Sequence, residues 1–269
     1  MNVPLPDGGH ISVAVQGSGP PLLLLRPLGG SVESWGSFAT TLARDARIIA
    51  FDPRGAGCSS AAPIGTTTRS MAADAIAVLD AMAVERPHVF GLSLGGMVAS
   101  WLAIDAPARI DRLVLASTPL RGLAVHAGSI ERALALVRCM AQPASAAEAC
   151  LATRILSPRF VAEHPEQVVQ IQTRAQARPA SHCGMLSLLW AAAMHDLRSR
   201  IGLIHADTLV LGGVRDVFVT VVAQQQLAEE LQYGRFALVP DAGHDLSVEA
   251  PLTTADLVLG HIHLRGGTR

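Results

Sequence analysis

Gly91-Leu92-Ser93-Leu94-Gly95 follows a short apolar run and precedes a helix-like one, which puts a serine hydroxyl on a strand-to-helix turn with a glycine on either side. A turn that sharp exposes the hydroxyl at the top of a sheet. The glycines leave space where neighbouring side chains would collide. A hydroxyl is a weak nucleophile until a base takes its proton. The chemistry that suits this spacing is attack on an acyl carbonyl. The N–H of Leu94, the residue after the nucleophile, then points at the developing oxyanion. The helix N-terminus adds partial positive charge at the same place.

A base and an orienting acid follow in the order acid, then histidine. Thr208 to Leu211 reads as a strand and is left through Gly212-Gly213-Val214-Arg215-Asp216. Phe236 to Val239 reads as another and is left through Pro240-Asp241-Ala242-Gly243-His244. Asp216 and His244 thus lie just past strand ends, where side chains from separate strands converge. His244 takes the serine proton and returns it, and Asp216 fixes the imidazole tautomer and stabilises the imidazolium. Asp245 is a rival acid by adjacency alone, and Asp241 reads as a turn residue. The other histidines, His10, His88, His126, His164, His182, His195, His205, His261 and His263, carry no motif and read as surface or satisfied core residues. His261 and His263 stand two apart in a terminal helix and face away from each other, so no metal site is expected.

The elements that must position these residues alternate along the chain. His10 to Val15 reads as an early edge strand. Arg47 to Phe51, His88 to Gly91, Arg112 to Ala116, Thr208 to Leu211 and Arg235 to Val239 read as further strands. Arg69 to Ala83, Leu94 to Ala106, Val221 to Leu231 and Leu252 to His263 read as helices. Alternation of this kind predicts an α/β fold with a mostly parallel sheet covered on both faces. Ligands of such sheets bind beyond the carboxyl ends of the strands. From about Arg121 to Arg200 the alternation stops. Ser129 to Met140, Ala144 to Ile155, Pro165 to Ala177 and Cys183 to His195 read as helices there, with no convincing strand.

Several motifs in this order resemble the α/β-hydrolase family over nearly the whole length. Phe51-Asp52-Pro53-Arg54-Gly55-Ala56-Gly57-Cys58-Ser59-Ser60 is similar to that family's D-x-R-G-x-G-x-S turn after the fourth strand. Asp241-Ala242-Gly243-His244 with Glu249-Ala250-Pro251 is similar to its histidine loop and the start of its last helix. Leu22 to Leu25, then Leu28-Gly29-Gly30-Ser31 and Trp35, are similar to its third strand and oxyanion loop. The resemblance implies a hydrolase core over 1–120 and 201–269, with a helical cap over 121–200 inserted after the sixth strand. It also implies a second oxyanion donor, the N–H of Leu28. Arg26-Pro27 stands where the family usually has His-Gly. Pro27 fixes its own φ and restricts Arg26, so the loop takes its own path. Arg26 either reaches a substrate carboxylate or carbonyl, or packs its stem and holds loop carbonyls.

Composition is consistent with a single α/β domain carrying a cap. With 269 residues, half of them hydrophobic, a large core is available. The net charge of −1 suggests neither a nucleic-acid partner nor an anionic membrane surface. All 21 basic residues are arginine, which excludes a lysine Schiff base and a Walker-type lysine. Cys58, Cys139, Cys150 and Cys183 form no C-x-x-C pair, and the first residues lack the pattern of a signal peptide. A reduced, cytoplasmic setting is therefore expected, with a small-molecule substrate, no cofactor, and a monomer or homodimer.

The function expected is hydrolysis of a small or medium apolar ester or lactone through Ser93, His244 and Asp216 and an acyl-enzyme. Arg26, Trp35, Trp190, Met194 and Phe218 are the candidate substrate contacts. Of the cap's apolar set, Met185, Leu188, Leu189, Trp190 and Met194 line a pocket or form the cap's own core. The tyrosine-free cap and the serine nucleophile argue against epoxide opening. Thioesterase, methylesterase or cyclase activity would use the same three residues. A triad-retaining binding or receptor protein is the reading from another class, and fold alone does not separate them.

Overall fold

The computed structural model describes residues 1–29, 31–122, 135, 138–177 and 180–263. Eight strands form one sheet: β1 (Asn2–Pro4), β2 (His10–Gln16), β3 (Pro21–Leu25), β4 (Arg47–Phe51), β5 (His88–Leu92), β6 (Arg112–Ala116), β7 (Asp207–Gly213) and β8 (Gly234–Val239). Their spatial order is β1-β2-β4-β3-β5-β6-β7-β8. β1 and β2 pair antiparallel, as do β2 and β4, and every other neighbouring pair is parallel. The expected edge strand at His10 is thus second from the edge. Asn2–Pro4 takes the edge, too short and too interrupted by proline to read as a strand in isolation.

Alternate side chains of the strands go to opposite faces. Leu23, Leu25, Ile49 and Val89 pack on one face, against α2 (Thr68–Ala81), α3 (Leu94–Asp105) and a helix over Val221–Glu230. Leu22, Leu24, Ile48 and Phe90 pack on the other, against α1 (Gly36–Leu42) and a helix over Pro251–His263. Runs of unbroken leucine, isoleucine and valine are what burial of both faces demands. Each fully buried leucine contributes about 1.5–3 kcal/mol by leaving water.

Between β6 and β7 the described residues contribute α4 (Ala144–Arg154), α5 (Pro158–Glu163), α6 (Pro165–Ala177) and α7 (His182–Ala193). The helix over Val221–Glu230 is α8, Leu246–Glu249 is α9 and Pro251–His263 is α10. The two ends of the insertion meet. Arg121 and Asp196 form an isolated antiparallel bridge, Gly122 N–H donates to His195 O (2.8 Å) and Leu197 N–H to Leu120 O (3.1 Å). The helix read over Ser129–Met140 lies largely outside the described residues. Cys139 and Cys150 are joined as a disulfide, where the sequence suggested unpaired thiols, and Cys58 and Cys183 are free. No helix among the described residues is long and apolar enough to cross a membrane.

Candidate active site

Ser93 follows directly on β5 and caps α3 with φ 54° and ψ −115°, a conformation that non-glycine residues rarely hold. What holds it is close backbone packing on every side. A Cβ on Gly95 would fall 2.0 Å from Leu25 O and one on Gly91 2.4 Å from Gly95 O, so neither glycine can be replaced without moving main chain. Ser93 N–H donates to Ala116 O (2.8 Å), and Thr118 Oγ1 donates to Ser93 O (2.8 Å). No local motif marks Thr118, because its role depends on β6 lying beside β5.

Asp216 lies three residues past β7 and His244 five past β8. A Cβ on Gly213 would sit 2.1 Å from Gly243 O, so these two loops run against each other. His244 Nε2 is 2.8 Å from Ser93 Oγ, and His244 Nδ1 is 3.0 and 3.1 Å from the two Asp216 oxygens. Asp216 Oδ1 also accepts from Phe218 N–H (2.8 Å) and Val219 N–H (2.9 Å), which fixes the carboxylate plane. Both side chains are buried. Burial opposes charge on His244, but the Asp216 carboxylate outweighs it by charge and hydrogen bond, helped by Asp245 and Glu249, and the imidazole pKa stands above its ordinary value. Such a chain can remove a proton from Ser93 and hold the resulting imidazolium.

The rival acid is turned elsewhere: Asp245 Oδ1 accepts from Ser247 Oγ (2.6 Å). Asp241 is a turn residue with φ 60°, paired with Arg159 and Arg215. His195 and His261 are buried away from Ser93, with pKa values pushed down to about 4 by burial.

Leu94 opens α3, where the first N–H groups have no partner within the helix. Leu28 follows β3 and lines a cavity of about 480 Å³ between the 26–37 loop and the insertion helices. Gly30, in the same loop, lies outside the described residues. Trp35 anchors the loop, 2% exposed and packed on Phe38 and Phe90 with ring centroids 5.8 Å away in each case. Arg26 lies buried with its guanidinium 4.8 Å over the Trp35 ring, so stem packing and a place on the cavity wall hold together. Phe218 stacks near His244 (centroids 5.1 Å) and lines a second cavity.

The structure does not bring Trp190 and Met194 to these cavities. They are 58% and 60% exposed, and neither lines either of these cavities. Met185, Leu188 and Ala191 turn inward from the same helix.

Glu249 stands in the sequence only as part of a motif, and the structure gives its carboxylate a role of its own. Its carboxylate accepts from Ser157 N–H (3.0 Å), Ser157 Oγ and Gly243 N–H, so it ties the residue ahead of α5 to the residue before His244. Glu249→Ala leaves those donors without an acceptor. It is expected to lower unfolding free energy by about 1–3 kcal/mol, read as a reduced urea midpoint. An unchanged midpoint would mean that solvent satisfies them.

Residues 20–140 match the family model described as alpha/beta hydrolase fold. Over 241 residues the chain is 33% identical to RutD of Variovorax paradoxus (strain S110), named as a carbamate hydrolase, covering 89% of this chain and 90% of that protein. It is 28% identical over 237 residues to 3-oxoadipate enol-lactonase 2 of Acinetobacter baylyi (strain ATCC 33305 / BD413 / ADP1), covering 88% and 86%. Among solved structures, a hydrolase from Pseudomonas aeruginosa PA01 superposes with a TM-score of 0.85 at 27% identity, covering 98% of each chain. Sheet order, the serine turn at the end of β5 and these likenesses agree: the chain belongs to the α/β-hydrolase family.

Proposed function

We propose that this protein is a serine hydrolase acting on carboxylic esters and lactones. The observation that carries the reading is the hydrogen-bonded chain from Ser93 Oγ to His244 to Asp216 on a strained turn. Strain of order 1–3 kcal/mol persists only where surrounding structure imposes it, and it concentrates at functional sites. That favours an enzyme over a binding protein.

In the proposed route His244 takes the Ser93 proton as Oγ attacks the carbonyl carbon. The oxyanion is held by the N–H groups of Leu94 and Leu28. His244 then protonates the leaving oxygen, the C–O bond breaks, and an acyl-enzyme remains. Water, deprotonated by the same imidazole, attacks the acyl-enzyme and releases the acid with Ser93 reprotonated. Side chains, backbone and water suffice. Residues 121–200 act as a cap that excludes bulk water and shapes the pocket.

The relatives named as an enol-lactonase and as a carbamate hydrolase support an acyl-type carbonyl. The higher identity to the latter favours carbamates as the second reading. Intact mass after treatment with a small fluorophosphonate, with Ser93→Ala alongside, tests the nucleophile. A single adduct on the wild type and none on the variant is expected; a folded, unlabelled wild type would overturn the reading. Turnover of matched phenyl ester, δ-lactone and phenyl carbamate then ranks the substrate classes, esters and lactones being expected ahead.

A further inference from the structure

Three donors meet at the carbonyl oxygen of Ser93. Gly96 N–H (2.9 Å) and Met97 N–H (3.1 Å) reach it from α3, and Thr118 Oγ1 (2.8 Å) reaches it from just past β6. The first two are what the carbonyl of any residue capping a helix receives. The third comes from outside the helix, 25 residues along the chain.

Two features shape the surroundings around that third bond. A Cβ on Gly96 would fall 2.6 Å from Thr118 Cβ and 2.8 Å from its Oγ1, so the second glycine of Gly95-Gly96 leaves the space that Thr118 fills. Ser117, at the exit from β6, holds φ 45° while fully buried. Its Oγ has no partner among the described residues, so the side chain does not hold the turn. Strain of this kind persists only where surrounding structure imposes it. Here Ser117 N–H donates to Leu211 O (2.9 Å) on β7, and two residues past Thr118 the oxygen of Leu120 accepts from Leu197 N–H (3.1 Å). Thr118 is thus fixed from both sides, and the strained residue before it turns the chain so that its hydroxyl meets Ser93.

Ser93 O is one end of the peptide unit that carries Leu94 N–H at its other end. A trans peptide is planar, so the C=O and the N–H of one unit point in opposite directions. A bond that fixes the oxygen therefore fixes the direction of the N–H. The helical bonds hold this unit along α3, and the Thr118 bond ties it to the sheet. Oxyanion donors are effective because they are oriented before charge develops.

We infer that Thr118 is a positioning residue for the oxyanion hole: its hydroxyl, bonded to Ser93 O, sets the direction of Leu94 N–H. This role rests on the hydrolase reading of Ser93. Thr118 makes and breaks no bond in the reaction; it acts through the peptide between Ser93 and Leu94.

The test uses T118V, T118S and T118A with two readouts, turnover of 4-nitrophenyl butyrate and inhibition by a phenyl trifluoromethyl ketone. Ser93 Oγ adds to the ketone carbon, His244 takes the proton, and the carbonyl oxygen becomes an oxyanion. T118V keeps the shape and removes the donor. It is expected to lower kcat by about ten- to a hundredfold, part of the roughly 10²–10³ lost when an oxyanion donor is deleted, with KM within about threefold of wild type. Ketone affinity is expected to weaken by a similar factor, because the adduct resembles the transition state. T118S keeps the hydroxyl and is expected to stay within about fivefold of wild type. T118S and T118A differ by one oxygen, so this pair decides if T118V fails to fold, with T118S expected to be at least about tenfold faster. Turnover by T118V within about threefold of wild type overturns the inference. So does a T118S as slow as T118A, or a fall in kcat with ketone affinity unchanged, which loss of folded protein alone would give. A wild type that neither turns over the ester nor binds the ketone sinks the hydrolase reading itself, and this role with it.

Discussion

Ser93→Ala is expected to lower kcat by roughly four to six orders of magnitude while leaving the fold and substrate affinity near wild type. The reasoning starts from what the substitution removes. It deletes one oxygen, 2.8 Å from His244 Nε2, and leaves Cβ in place. The backbone bonds from Ser93 N to Ala116 O and from Thr118 Oγ1 to Ser93 O do not involve the side chain, so the turn survives. Without Oγ no acyl-enzyme forms, and the residue of catalysis comes from oxyanion donors acting on direct attack by water. A variant within tenfold of wild type would show that the ester bond is broken elsewhere. Ser93→Gly separates function from strain. At φ 54° glycine relieves the backbone that serine must hold. That variant is expected to be as inactive as Ser93→Ala yet more stable by about 0.5–1 kcal/mol against it, measured by urea unfolding, because glycine occupies this region without steric cost.

The parts of this site legible in the sequence are those fixed by local rules. A serine between two glycines after an apolar run predicts the turn, and the structure places it at the end of β5. Helices Arg69–Ala83 and Val221–Leu231 were readable to within two residues of their observed ends because polar and apolar positions alternate along them. The inward and outward positions around Trp190 and Met194 are illegible for the opposite reason. Helix α7 is apolar nearly all round, so spacing does not say which side turns inward. Met185, Leu188 and Ala191 face in, and Leu186, Trp190 and Met194 face out. Glu249 and Thr118 were not legible as site residues, since each bonds to a segment far away in the chain. Glu249 meets Ser157 at a separation of 92 residues. The disulfide escaped for a similar reason: Cys139 and Cys150 are 11 apart with Pro143 between them, and only the turn into α4 brings them together.

Asp216→Asn is expected to cost about 10⁴-fold in kcat at neutral pH, nearly as much as losing the nucleophile, although it changes one atom. Asp216 Oδ1 accepts from the N–H groups of Phe218 and Val219, and an introduced amide must keep its oxygen there or leave both donors unpaired. Its NH₂ then takes the place of Oδ2, 3.0 Å from His244 Nδ1. A donor at that point forces Nδ1 to accept, which moves the imidazole proton to Nε2. Nε2–H now faces Ser93 Oγ and cannot take its proton. The pH profile separates this from simple loss of structure. His244 works as a base only when neutral, so kcat/KM rises with pH through its pKa. Asp216 raises that pKa against the opposing effect of burial. The acid limb of the wild type is therefore expected above the ordinary histidine value of about 6.5. Removing the charge of Asp216 lowers the pKa, so the limb of the variant moves to lower pH while the plateau falls. Asp245→Asn, whose carboxylate is turned to Ser247, is expected to shift the limb the same way but to spare the plateau within about tenfold, since it leaves the tautomer alone. Plateau loss in Asp245→Asn as deep as in Asp216→Asn would mean that Asp245, not Asp216, orients the base during turnover.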